Sequence, residues 1–232
     1  MFERLQQLPL FMGLGINDLL RIVEEVKFSF EKWESGDIIS NQGDRCDKIV
    51  YVLSGSLCAT YRDDVHGFQM SEYFDHAYYI IEPQNLWGMR RAYGRSYSFT
   101  TDGSTCSISK DRLLYLLSHY DIIKTNLLSL ICNRLQNVTK FLHNPIPFST
   151  SSRILRYIKS YKIYDGGKTV LLVKMPQLAT LTSSTRLNVS KVLNTWNSEG
   201  LITLQRGLII IDDMSKLETH IVPHNERIIT PL

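Results

Sequence analysis

Cysteine is scarce and scattered in this chain of 232 residues: Cys46, Cys58, Cys106 and Cys132 form no Cys-x-x-Cys pair and have no histidine at ligand spacing. That argues against a zinc or iron–sulfur site and for reduced, idle thiols. Long apolar runs are missing too, since no stretch approaches the roughly 18 residues that a membrane span requires. Met1 to Leu14 places acidic and basic residues before any apolar run and has no small-residue cleavage pattern, so no secretory signal is expected and the chain is assigned to the cytoplasm. His66, His76, His119 and His143 stand too far apart to supply the coordination sphere of a metal-dependent β-barrel enzyme. No nucleophile–base constellation stands out either, and an enzyme is not expected.

What is present is enough apolar residue, 44%, for sizeable cores. The formal charge is only +3, but it is uneven. Residues 144–232 carry 11 Lys plus Arg against 6 Asp plus Glu, a net of +5, whereas residues 1–143 carry 15 against 17, a net of −2. The basic surplus suits a C-terminal part that meets a polyanion. Two domains are expected, at 1–146 and 147–232.

The C-terminal part carries the sharpest pattern. Leu178, Ala179 and Leu181 give a short helix, and Thr182, Ser183 and Ser184 break it, because hydroxyl side chains compete for backbone hydrogen bonds. From Thr185 the apolar residues Val189, Val192, Leu193 and Trp196 recur at i, i+3, i+4 and i+7, burying one stripe of a second helix. Asn188, Lys191 and Thr195 fall on the opposite side. After Gly200 the run Leu201 to Leu204, a turn at Gln205-Arg206-Gly207 and Leu208 to Ile211 predict a β-hairpin. Helix, turn, helix and hairpin in that order make a winged helix-turn-helix, a device for reading double-stranded DNA. The bland alternative is an α+β fragment with solvated charges.

Between Phe28 and Ile108 short apolar runs alternate with turns at Gly36-Asp37, Gly43-Asp44, Gly55-Ser56, Gly67, Gly88 and Gly103, which predicts an antiparallel, jelly-roll-like β-roll. Ile49 to Leu53 is β-branched and aromatic and stops at Ser54-Gly55, as a core strand should. Asp111 to Tyr120 then gives a short helix and Asp121 to His143 a long one, ended by Asn144-Pro145-Ile146-Pro147. Leu128, Ile131, Leu135, Val138 and Leu142 alternate at spacings of three and four along the long helix, a heptad seam for a second copy. Leu127, Leu130 and Phe141 offer another apolar side, for packing on the chain's own roll. The fold class is α+β.

Gly36-Asp37, Asn41-Gln42-Gly43-Asp44 and Ile49 to Leu53 followed by Ser54-Gly55-Ser56-Leu57, with Gly55 twelve positions after Gly43, resemble the cyclic-nucleotide-binding β-roll of the Crp/Fnr family of bacterial transcription regulators. The likeness runs from about Leu10 to Asp212. It implies a homodimer joined through the long helix and a phosphate cradle in which Gly88, Arg95 and Ser96 fit the family pattern. Met89 departs from it, because the carboxylate expected there accepts a ribose hydroxyl and a thioether is a poor substitute. Of the two purine-contacting positions, Val138 and Thr139, only Thr139 keeps a hydroxyl. Cyclic AMP is therefore not the expected effector, and Arg90, Arg91 and Arg95 stand either as sites for a different small anion or as a solvated loop; no cofactor is assigned.

For DNA the resemblance implies Arg186, Asn188 and Lys191 near base edges and Ser184, Thr185 and Arg206 on the phosphate backbone. Arg186 and Lys191 fall where the family commonly carries arginines that contact guanine, while Leu187 replaces a frequent glutamate. The expected function is thus sequence-specific transcription regulation on a palindromic site, with RNA polymerase a further partner if the regulator activates. The alternative is a sensing module that acts through protein partners instead of DNA.

Overall fold

A computed structural model describes residues 5–75, 77–143, 146–163 and 166–221. The chain divides into two compact units, and the division is not sequential: residues 1–57 and 75–143 form the first, residues 58–74 and 144–232 the second.

The first unit begins with a 3₁₀ turn (Pro9–Phe11) and helix α1 (Ile16–Glu25), which buries Leu19 and Ile22. Its strands are β1 (Ser29–Trp33), β2 (Ile38–Ser40), β3 (Lys48–Ser54), β6 (Tyr79–Ile81), β7 (Ser96–Phe99) and β8 (Gly103–Ser109). Four of them form an antiparallel sheet in the order β1-β8-β3-β6, and β2 pairs with β7. The central β3 is buried from Ile49 to Leu53, the run that its β-branched and aromatic composition marked as core. The turns between strands are closed by aspartates: Asp37 accepts from the Glu34 N–H and Asp44 from the Asn41 N–H, at 2.7 and 2.8 Å. Helices α2 (Lys110–His119) and α3 (Asp121–His143) follow, the second with the bounds read from its sequence. One side of α3 buries Ile123 and Leu127 against its own unit, and Asn126 donates to the carbonyls of Leu10 and Met12.

The second unit holds α4 (Thr150–Ser160), β9 (Lys168–Leu172), α5 (Met175–Leu181), α6 (Arg186–Ser198), β10 (Thr203–Gln205), β11 (Leu208–Ile211) and α7 (Met214–Ile221). It also takes in most of the hairpin formed by β4 (Ser56–Asp63) and β5 (Phe68–Asp75), which the sequence placed with the roll. The reason is pairing: β5 runs antiparallel to β9 from Gln69↔Leu172 to Tyr73↔Lys168, giving the strand order β10-β11-β9-β5-β4. Phe68 and Met70 join Ile154, Leu171, Val189, Leu193, Trp196 and Ile209 in one buried core. Helix α4 was missed in the sequence, although Ser149 caps it by accepting from the Ser152 N–H at 3.0 Å and Ile154, Leu155 and Ile158 supply its buried stripe.

Helix α6 ends in a Schellman motif, with Leu201 N–H on the Trp196 carbonyl and Gly200 N–H on that of Asn197. Gly200 sits at φ +70°, and a Cβ added there would meet nothing within 4 Å. Gly200→Ala should therefore cost about 1–2 kcal/mol through left-handed strain alone, read as a lower denaturant midpoint; an unchanged midpoint would contradict that account.

Candidate DNA interface and effector pocket

In the second unit helix α5 stops because Thr182 turns its hydroxyl back to the Leu178 carbonyl at 2.7 Å and Ser183 takes φ +49°. The Ser184 N–H closes on the Ala179 carbonyl, and its hydroxyl lies 3.2 Å from that of Thr150. Thr185 caps α6 by accepting from the Asn188 N–H at 3.2 Å. With Val189, Leu193 and Trp196 buried, the helix has no freedom to rotate its other face inward. Arg186, Leu187, Asn188 and Lys191 are consequently exposed, and the helix contains no acidic residue.

The wing is fastened to the same helix, since the Leu204 N–H donates to Asn197 Oδ1 at 2.9 Å. Its turn places Arg206 in solvent beside Gly207. Arg186 and Arg206 border one groove of about 810 Å³ together with Lys174, Met175, Pro176, Leu204 and Gly67. The structure thus gathers the base-edge candidates Arg186, Asn188 and Lys191 on one exposed helix end and puts Arg206 near Arg186. Ser184 is half-buried, and Thr185 has one function already, as the cap.

The effector candidates are arranged differently. Gly88 is exposed past the 3₁₀ turn Pro83–Leu86, and Met89 is fully exposed, so neither closes over a ligand from inside the roll. Arg90 and Arg91 are exposed while Arg95 is buried, so the three arginines do not form one cluster. Arg91 instead borders a separate cavity of about 490 Å³ with Arg45, Lys48 and Lys110. Ser96 accepts from the Gln42 N–H of the Gln-Gly-Asp turn at 2.9 Å. Thr139 is half-buried on α3.

A residue that sequence reasoning missed organises this region. Glu82 is 5% exposed and sits in the left-handed region at φ +36°. Its carboxylate accepts from Asn85 Nδ2 at 2.6 Å, from the Gly94 N–H at 2.6 Å and from the Tyr97 hydroxyl at 3.0 Å. Burial first, then Tyr79 and Glu82, push the Tyr97 hydroxyl well above its usual range, with Arg95 opposing. Tyr79 is raised as well, chiefly by burial, and again Arg95 opposes while Glu82 adds. The Glu82 segment is also tied to α3, because Arg134 donates to the Ile80 carbonyl and to Gln84 Oε1, both at 2.8 Å. No motif in the sequence announces Glu82; only its neighbour Pro83 hints at a turn.

Along α3 the seam residues Leu128, Leu135 and Val138 are 58%, 63% and 57% exposed, and Ile131 is half-buried. The side chain of Leu142 lies outside the described residues. No disulfide links the cysteines, and burial pushes the Cys106 thiol up to about 12. Among the described residues no group of three or more His, Cys, Asp or Glu could hold a metal ion, and no helix is long and apolar enough to cross a membrane.

Against known families, residues 152–220 match the Crp-like helix-turn-helix domain. No curated protein matches the chain by sequence. Among solved structures, a putative Crp/Fnr-family transcriptional regulator from Eubacterium rectale superimposes with a TM-score of 0.53 at 18% identity, over 91% of this chain and 96% of that one. The catabolite activator protein of Thermus thermophilus is 19% identical over 91% and 97% of the two chains, with a TM-score of 0.48. The chain therefore carries a Crp-like helix-turn-helix domain within the α+β fold of the Crp/Fnr transcription regulators.

Truncating Glu82 should strand three donors at once. Glu82→Ala is expected to destabilise the roll by at least about 1–3 kcal/mol, and Glu82→Gln by less; thermal denaturation measures both, and equal losses would contradict the hydrogen-bond account. Because the folded-state pKa values of Tyr79 and Tyr97 are raised above their unfolded value of about 10, their contribution is fully present below that pH and is lost as pH rises through the folded values. Stability should fall in alkali above about pH 10, and Tyr97→Phe should flatten that fall.

Proposed function

We propose that this chain is a cytoplasmic, non-enzymatic, sequence-specific DNA-binding transcription regulator that acts as a homodimer on a palindromic site. The observation that supports this reading is the N-terminal half of α6: Arg186, Asn188 and Lys191 exposed without an acidic neighbour on the helix, with Arg206 sharing a groove with Arg186. Arginine and asparagine at the start of such a helix suit bidentate contacts to guanine and adenine edges. Leu187, 64% exposed, offers only an apolar surface, which fits a thymine methyl. Arg206, Ser184 and Thr185 take the phosphate backbone.

The exposed stripe of Leu128, Leu135 and Val138 supports the second copy, because three large apolar side chains on one helix face are poorly placed in water. In the roll, the Glu82 carboxylate supplies an internal negative charge to the region that holds Arg95 and Tyr97. An incoming cyclic nucleotide phosphate would meet that charge, and the carboxylate expected at Met89 for the ribose is missing. The regulator reads DNA without cyclic AMP.

Arg186→Ala should weaken specific binding by about 1–3 kcal/mol and relax one position of the half-site; unchanged affinity and preference in a titration would overturn the assignment. Arg206→Ala should weaken all sequences alike and lower the salt slope by about 0.9 per lost phosphate contact, whereas a base-specific loss would contradict its role. Leu135→Glu should give a folded monomer in sedimentation analysis, and a persistent dimer would exclude the α3 seam.

A further inference from the structure

The reader unit contains a charge pair that its DNA face does not explain. Lys162 Nζ lies 3.0 Å from Glu72 Oε1, with the two side chains 3% and 1% exposed. Glu72 belongs to β5, and it also accepts from the Ile163 N–H at 3.0 Å. Lys162 in turn donates to the Gly166 carbonyl and to Thr169 Oγ1, at 3.2 and 3.1 Å. A fully buried pair persists only when geometry and additional hydrogen bonds offset its desolvation, and removing one partner leaves an uncompensated charge. The pair thus closes the loop before β9 onto the hairpin strand. Gly167 seals the same corner: at φ +76°, a Cβ there would stand 2.4 Å from the Tyr73 carbonyl oxygen.

The consequence reaches the wing through the sheet. Strand β9 has the hairpin on one edge and β11 on the other, so its registers on the two sides connect them residue by residue. Glu72 stands opposite Thr169, which stands opposite Ile211; Met70 stands opposite Leu171, which stands opposite Ile209. All six are buried, with exposures between 0% and 3%. A one-residue slip would turn each row to the other face. On the same face of β5, Phe68 packs against Tyr157 and Tyr161 with ring centroids 5.4 and 5.0 Å apart, which holds the hairpin to the end of α4.

We propose that the hairpin of β4 and β5 is a working part of the DNA reader, and that Glu72 and Lys162 are positioning residues that set the wing, and with it Arg206, through the rows of β5, β9 and β11. This rests on the DNA-reading role of Arg206 given above. The wing alone is a short ribbon, and two strands in isolation are marginal in water; its third and fourth strands come from β9 and from a hairpin that lies roughly a hundred residues upstream of β9.

The test uses the full chain on the palindrome that it selects from random DNA. Glu72→Gln keeps the shape and removes the charge. Its expected signature is a salt slope lowered by about 0.9, no further loss when Arg206→Ala is added, and faster amide exchange in β10 and β11 than in α6. The paired change Glu72→Leu with Lys162→Met removes both charges together and should restore the slope. Where Glu72→Gln does not fold, Met70→Ala loosens the neighbouring row without stranding a charge and is read in the same way. A folded variant with the original slope, or losses that add to that of Arg206→Ala, would overturn the proposal. Failure of the unaltered protein to bind any DNA would instead remove the reading on which it rests.

Discussion

The burial of Val189, Leu193 and Trp196 is the constraint on which the reader depends. Those three side chains fix the rotation of α6 about its axis, and at about 25 cal/mol per Å² of buried apolar area that stripe outweighs any preference of the polar face. The outward projection of Arg186, Asn188 and Lys191 follows from it. So does the wing, because the chain leaves α6 through a glycine-dependent cap and is caught at once by Asn197. A helix that carried the same polar residues without the stripe would present them in no defined direction.

The roll shows the opposite economy, in which charge is kept inside. Glu82 is buried and held by three donors, in the region where the resemblance places an anionic ligand. Arg134 then binds the same segment to α3, whose outward apolar stripe is the surface proposed for the second copy. An interior carboxylate, a short turn and the proposed dimer helix are therefore one hydrogen-bonded assembly. The Glu82 segment and α3 are thus tied to each other through Arg134.

How much of this was legible in the sequence depends on the range of the interactions. Helix α3 was readable with its bounds, since a heptad and a Pro-rich stop are local signals, and α6 was readable because its apolar period is long and its cap is Thr185. The β-roll was readable from its turns, in which glycine and aspartate act within four residues. Long-range pairing was not. Nothing near Phe68 to Phe74 announces that β5 will pair with β9, because the pairing joins segments about a hundred residues apart and Glu72 looks like any strand glutamate until Lys162 is placed beside it. Glu82 was missed for the same reason: its donors Gly94 and Tyr97 lie in another segment. The arginines Arg90, Arg91 and Arg95 looked like one cluster by adjacency, yet the chain bends between them, and Arg95 is buried while the other two are exposed.

The most direct measurement is selection of random-sequence DNA by the purified protein at stated salt, with no effector added. Enrichment of a palindrome whose half-sites lie about one helical turn apart is expected, since the helix-turn-helix is formed and the region proposed for an effector already holds the Glu82 carboxylate. No enrichment from a folded, dimeric protein would contradict it, and would mean that the reading helices reach their working spacing only when something else is bound.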